Sequence, residues 1–74
     1  MSVHAVLSEI AGVVFELLVK PGDVVEEGQT LMLLESMKME IPVLTPNAGV
    51  VESLLVDEGG PVAEGQTVAK IRGE

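Results

Sequence analysis

Lys38 stands between Met37 and Met39, preceded by Ser36, and Glu35 and Glu40 close the hexapeptide ESMKME. A lysine amine can act as a nucleophile, a proton carrier or a point of covalent attachment, although most lysines are simply hydrated charges on flexible stems. The neighbours set this one apart. Two large, flexible thioether side chains flank it. The rest of the chemical inventory is thin. The chain has no cysteine, so it offers no disulfide framework, thiolate metal site or thiol nucleophile. His4 is the only imidazole, near a chain end expected to be mobile, and reads as a surface residue. Glu26-Glu27, Asp57-Glu58 and Glu64 fall in turn-like segments, where carboxylates are solvated rather than paired around a substrate. Pro21-Gly22-Asp23 and Glu58-Gly59-Gly60 open no helix and lack the Gly-x-x-x-x-Gly-Lys spacing, so they read as turns and not phosphate loops. Of the four methionines, Met1 is the initiator and Met32 belongs to the core, and two thioethers around a lysine make a poor metal cage; no metal is expected.

The elements that position Lys38 are not obvious from local propensity. LMLLESMKMEI, residues 31–41, is rich in good helix formers and would read as a short helix. An internal repeat decides otherwise. AGVVFELLVKPGDVVEEGQT at 11–30 recurs as AGVVESLLVDEGGPVAEGQT at 48–67, at a constant offset of 37 without a gap. Two similar halves of this length make one closed, pseudo-twofold domain over residues 1–74 rather than an open array. The offset maps Leu31–Leu34 onto Val68–Ile71, where Ala69 and Ile71 alternate with Lys70 and Arg72 in the period of a half-buried strand. Met32 and Leu34 are therefore expected to face inward, in a strand that overrides its helical propensity.

In the first long strand of each half, Phe15 matches Glu52 and Glu16 matches Ser53, so both positions tolerate a polar residue. Val14, Leu17 and Val19, with Val51, Leu54 and Val56, form the expected inward set, and their uneven spacing implies a bulge in each copy. Pro42 and Pro46 bracket Val43-Leu44-Thr45, which marks an edge strand or a strand end, and Asn47-Ala48-Gly49 supplies a turn. Strands on both sides make Ser36-Met37-Lys38-Met39 the tip of a hairpin. Short strands punctuated by regular turn signals place the chain in the all-β sandwich or barrel class.

Composition fits a small core without aromatic bulk: 47% of the 74 residues are hydrophobic, yet Phe15 is the only aromatic. A domain of this size buries only about 60% of its unfolded surface, so Val, Leu, Ile, Ala and Met must fill it. The formal net charge of −8 argues against nucleic acid and anionic membranes as partners; electrostatic steering would favour a basic protein surface, but the favoured reading is that acidity keeps a small, apolar chain soluble and monomeric. No apolar run approaches the ~20 residues of a membrane span, and no leader pattern is visible. The expected setting is cytoplasmic, with the domain itself monomeric.

Glu35-Ser36-Met37-Lys38-Met39-Glu40, centred in a duplicated β chain with Pro-Gly-Asp and Glu-Gly-Gln turns, resembles the biotinyl/lipoyl attachment family from about Val3 to Ile71. The resemblance implies a flattened β-barrel or sandwich of two four-stranded antiparallel sheets, a barrel-sandwich hybrid. It implies that Lys38 carries covalent biotin, joined by a biotin protein ligase that recognises Glu35, Ser36, Met37 and Met39. The chain is then similar to a free-standing attachment protein or to the carrier subunit of a biotin-dependent carboxylase, such as an acetyl-CoA carboxylase. Such a subunit is non-catalytic and serves a biotin carboxylase and a carboxyltransferase. The commoner biotin motif has Ala where Ser36 stands. Lipoyl domains share the fold, and their lysine usually follows Asp and precedes Ala, so Met37 and Met39 favour biotin over lipoate. Lipoate on Lys38, in an acyl- or aminomethyl-transfer complex, is the leading alternative; an unmodified assembly domain is the other.

Overall fold

A computed structural model describes residues 2–73 of the chain. Eight strands follow one another: β1 (Ser2–Leu7), β2 (Gly12–Leu17), β3 (Val24–Val25), β4 (Thr30–Ser36), β5 (Met39–Leu44), β6 (Gly49–Leu54), β7 (Pro61–Val62) and β8 (Thr67–Gly73). They form two four-stranded antiparallel sheets, ordered β1-β8-β6-β3 and β5-β4-β2-β7. Adding 37 to the residue numbers turns β1, β2, β3 and β4 into β5, β6, β7 and β8, and turns the first sheet order into the second. The pseudo-twofold expected from the repeat is therefore complete. Each sheet takes two strands from each half, because β3 crosses to pair with β6 and β7 crosses to pair with β2.

The crossings are fixed by backbone hydrogen bonds that come in symmetric pairs. The Gly22 amide donates to the Val51 carbonyl over 2.8 Å, and the Gly59 amide to the Val14 carbonyl over 2.8 Å. Gly28 donates to Thr45, and Gly65 to Ser8, in the same way. The Lys20–Asp23 and Asp57–Gly60 segments are turns in both copies, each closed by an i to i+3 bond of 3.0 Å, with Gly22 and Gly59 supplying the positive φ. Ser8 and Thr45 are buried polar residues at matching positions, and their hydroxyls donate to the carbonyls of Ile10 and Asn47, so neither is left unsatisfied.

The core is aliphatic, as the composition demands. Val14, Val25, Leu31, Met32, Leu34, Val51, Val68, Ala69 and Ile71 are almost wholly buried, with Val6, Val19, Val43, Val56 and Val62 around them. Val19 and Val56 join the core as expected from the sequence, while Leu17 and Leu54 are only partly buried against it. Both expected bulges are present: the register skips Phe15 between Val14 and Glu16, and Glu52 between Val51 and Ser53. Phe15 consequently turns outward and is 51% exposed, which explains why its counterpart can be a glutamate. A second irregularity lets the consecutive residues Leu31 and Met32 both point inward, and Val68 and Ala69 repeat it.

One expectation needs adjustment. His4 does not lie at a mobile end: β1 pairs with β8 from Ser2↔Gly73 to Leu7↔Thr67, and His4 sits in that ladder opposite Ile71. The equivalence of β1 with β5 was not visible in the repeat, because identity between the halves stops short of these strands except at Val6/Val43 and Leu7/Leu44. Pro42 falls in β5, which lies at the edge of its sheet and has no further strand for the missing N–H to serve.

Gly12 and Gly49 occupy equivalent places where one backbone presses on another. A Cβ on Gly12 would lie 2.7 Å from the Glu35 carbonyl oxygen, and one on Gly49 would collide with the Arg72 carbonyl oxygen. Gly28 has a positive φ but open space around it. Gly12→Ala and Gly49→Ala are each expected to destabilise the fold by about 1–3 kcal/mol through overpacking. Gly28→Ala should cost less, at the low end of about 1–2 kcal/mol, from its backbone angle alone. Urea unfolding of the three variants checks the order; equal losses at Gly12 and Gly28 would contradict the steric account.

Candidate functional site

The β4–β5 hairpin is the longest local ladder in its sheet, with Leu34↔Ile41, Glu35↔Glu40 and Ser36↔Met39 as its last rungs. Only Met37 and Lys38 remain to make the turn. Their φ angles are 52° and 66°, and positive φ at both central residues is the signature of a type I′ hairpin turn. That turn is normally written Asn-Gly, because side chains with a full Cβ resist the left-handed region. Each such residue costs about 1–2 kcal/mol.

The strain is sustained by what lies beneath. β4 is paired on both sides, to β5 and to β2, and Leu31, Met32 and Leu34 anchor it in the core. Gly12 lets the start of β2 press against Glu35 and Ser36 at the base of the turn. A ladder held at this many points leaves two residues to span the gap whatever their own preference. The tip is thus rigidly based although it stands exposed among the described residues.

All the residues singled out in the sequence converge there. Lys38 is exposed, and the one ion pair among the described residues is Lys20–Asp23, so the Lys38 amine is not engaged by a carboxylate. Met37 is 92% exposed and Met39 61%, so the thioethers do not fold back over the turn but stand out beside the lysine. Ser36 is half-buried at the base. Glu35 and Glu40 face each other directly across the ladder, both exposed. Like charges at opposed positions repel weakly, which is a local cost of a few tenths of a kcal/mol. The pseudo-twofold gives the reason to regard this tip as special. Its image in the other sheet is the rung Ser2↔Gly73, which no turn closes.

An exposed amine on a rigid base, clear of competing carboxylates, can form an amide with a carboxylic acid delivered by a second protein. The side chains present suit such a group: a primary amine at the outermost point, on a four-carbon stem, with no pocket wall to restrict a long acyl chain. Two sequence signals were missed. The left-handed pair could not be read because neither Met37 nor Lys38 is Gly or Asn, and the buttressing role of Gly12 needed the register of β2 against β4.

The fold and the hairpin together define a small all-β domain of two interlocked four-stranded sheets with a lysine at an exposed turn. The chain belongs to the biotin/lipoyl attachment family: the family model described as "Biotin-requiring enzyme" matches residues 4–71. Over 39 residues it is 62% identical to the "Biotinylated protein TB7.3 homolog" of Mycolicibacterium smegmatis, a match covering 53% of this chain and 55% of that one. Over 36 residues it is 50% identical to the "Biotin/lipoyl attachment protein" of Bacillus subtilis, covering 49% of each. The matched segments therefore span about half the length of these curated relatives. Among solved structures, the Kluyveromyces lactis urea carboxylase superposes with a TM-score of 0.91 at 30% identity, over 97% of this chain and 6% of the larger one. The two-sheet architecture is thus that of a domain found within a carboxylase.

Replacing Lys38 by Gly should relieve one left-handed residue and stabilise the fold by about 1 kcal/mol, less the extra flexibility of the unfolded chain. Lys38→Arg should leave stability unchanged. Chemical denaturation of both variants checks this; a Lys38→Gly protein less stable than the parent would show that the turn is not strained.

Proposed function

We propose that Lys38 is the point at which biotin is joined to this chain, and that the chain acts as a non-catalytic carboxyl carrier. The observation that carries the reading is the amine of Lys38 at the outermost position of a two-residue turn, flanked by two exposed thioethers and held by a ladder rooted in the core. Membership in the attachment family and the likeness to a segment of a urea carboxylase support biotin and a carboxylase setting.

Glu35, Ser36, Met37 and Met39 form the surface a biotin protein ligase would grip. The exposed thioethers offer adaptable apolar contact, and the carboxylate of Glu35 orients a basic patch. Ser36, half-buried at the base of the turn, gives the ligase the lower edge of that surface. The amine must reach the ligase's activated acyl group unprotonated and unpaired, and no carboxylate among the described residues holds it in an ion pair. Once the amide forms, the lysine loses its charge and the domain becomes one unit more negative.

When bound, biotin supplies a ring that accepts a carboxyl group at a biotin carboxylase and yields it at a carboxyltransferase. The chain's own contribution is mechanical. The lysine stem gives reach, the rigid hairpin fixes its origin, and tethering replaces diffusion by a high local concentration at both partners. Cytoplasmic, monomeric operation completes the proposal, with acetyl-CoA, propionyl-CoA, pyruvate or urea as the acceptor.

Incubation with biotin protein ligase, biotin and ATP is expected to add one biotin, less one water, to the intact mass. Lys38→Arg should take none, whereas Lys20→Arg and Lys70→Arg should be modified as the parent is. A biotin adduct persisting in Lys38→Arg would overturn the assignment, and a lipoyl adduct on protein from its own cell would redirect it to the acyl-transfer alternative.

A further inference from the structure

Three methionines lie among the described residues, and the fold treats them in two opposite ways. Met32 is fully buried in the core between the sheets. Met37 and Met39 are 92% and 61% exposed, one on each side of Lys38. Nothing in the domain requires that exposure, since neither side chain contributes to the core.

A thioether in water reacts with peroxides. The sulfur lone pair attacks one peroxide oxygen, the O–O bond breaks, sulfur is oxidised by two electrons to the sulfoxide, and the second oxygen leaves as water after taking up a proton. The product is polar and chiral where the methionine was apolar and flexible, and sulfoxide reductases reverse it. Access decides which methionines react, so a dose that oxidises Met37 and Met39 spares Met32.

We propose that Met37 and Met39 are a reversible oxidation site, with peroxide as oxidant, that gates attachment at Lys38. The proposal rests on the reading of Lys38 as the biotinylated residue. Because both side chains project from the turn, the added oxygen disturbs neither the β4–β5 ladder nor the core, and the oxidised domain stays folded. What changes is the surface that a ligase must desolvate. Two apolar knobs become two strong hydrogen-bond acceptors, and burying them without donors should lower the rate of attachment by about tenfold to a hundredfold. Oxidation therefore acts on recognition of an intact domain, before the cofactor is joined.

The test uses the full chain with Lys38 unmodified, treated with graded hydrogen peroxide. Peptide mass mapping is expected to find sulfoxide at Met37 and Met39 while Met32 stays reduced, with an unchanged melting temperature. The kcat/KM for biotinylation by biotin protein ligase should then fall at least about tenfold, and methionine sulfoxide reductases of both epimer specificities should restore it. In Met37→Leu/Met39→Leu, whatever its starting rate, peroxide should leave that rate unchanged. An oxidised parent modified as fast as the reduced one would overturn the proposal, as would an equal loss in the leucine variant. Failure of the untreated parent to take biotin would overturn the attachment reading and the gate with it; the two failures are distinguished by the untreated rate.

Discussion

The β4–β5 ladder forces Met37 and Lys38 into a left-handed conformation that neither residue prefers, and the other features of the hairpin follow from how that is sustained. A hairpin of ordinary sequence would relax by changing its register or lengthening its loop. Here the register cannot slip, because a one-residue shift would carry Leu34 and Met32 from the core to solvent. Nor can β4 tilt away from β5, since β2 binds its other edge and Gly12 brings the two backbones into contact beneath the turn. Core burial thus fixes the conformation of two residues that touch none of the core.

That leverage is available to a 74-residue chain because its two halves are interlocked. Each half lends two strands to the sheet built on the other's central pair, so neither half has a complete sheet of its own. Buried valine, leucine, isoleucine and methionine then suffice without aromatic bulk or disulfides. The symmetry also sets the hairpin tip apart. Equivalent ladders run through both sheets, but only one is closed by a turn, and only that turn carries a lysine between thioethers.

Much of this was legible in the sequence, for identifiable reasons. The offset of 37 carried β2, β3 and β4 onto β6, β7 and β8 and corrected the helical propensity of residues 31–36, since a strand in one copy obliges a strand in the other. Uneven apolar spacing around Phe15 and Glu52 located both bulges. The partnership of β1 with β5 was hidden because edge strands carry few inward residues, and two identities are too few to extend a repeat. The Ser8 and Thr45 side-chain turns escaped notice because short polar side chains buried at a strand end look like ordinary loop residues. At the hairpin tip, the position of the turn was legible and its backbone geometry was not: type I′ turns announce themselves through Asn-Gly, and this one is built from Met and Lys against propensity.

A rigid body with an amine at its hairpin tip suits a group that must be presented to more than one partner, because the partners can read the body while the stem supplies the reach. Fragment-ion sequencing of the peptide spanning residues 31–44, taken from protein isolated from its own cell, addresses that account most directly. A biotin mass on Lys38 alone is the expected result; an unmodified Lys38, or biotin on another lysine of the chain, would contradict it.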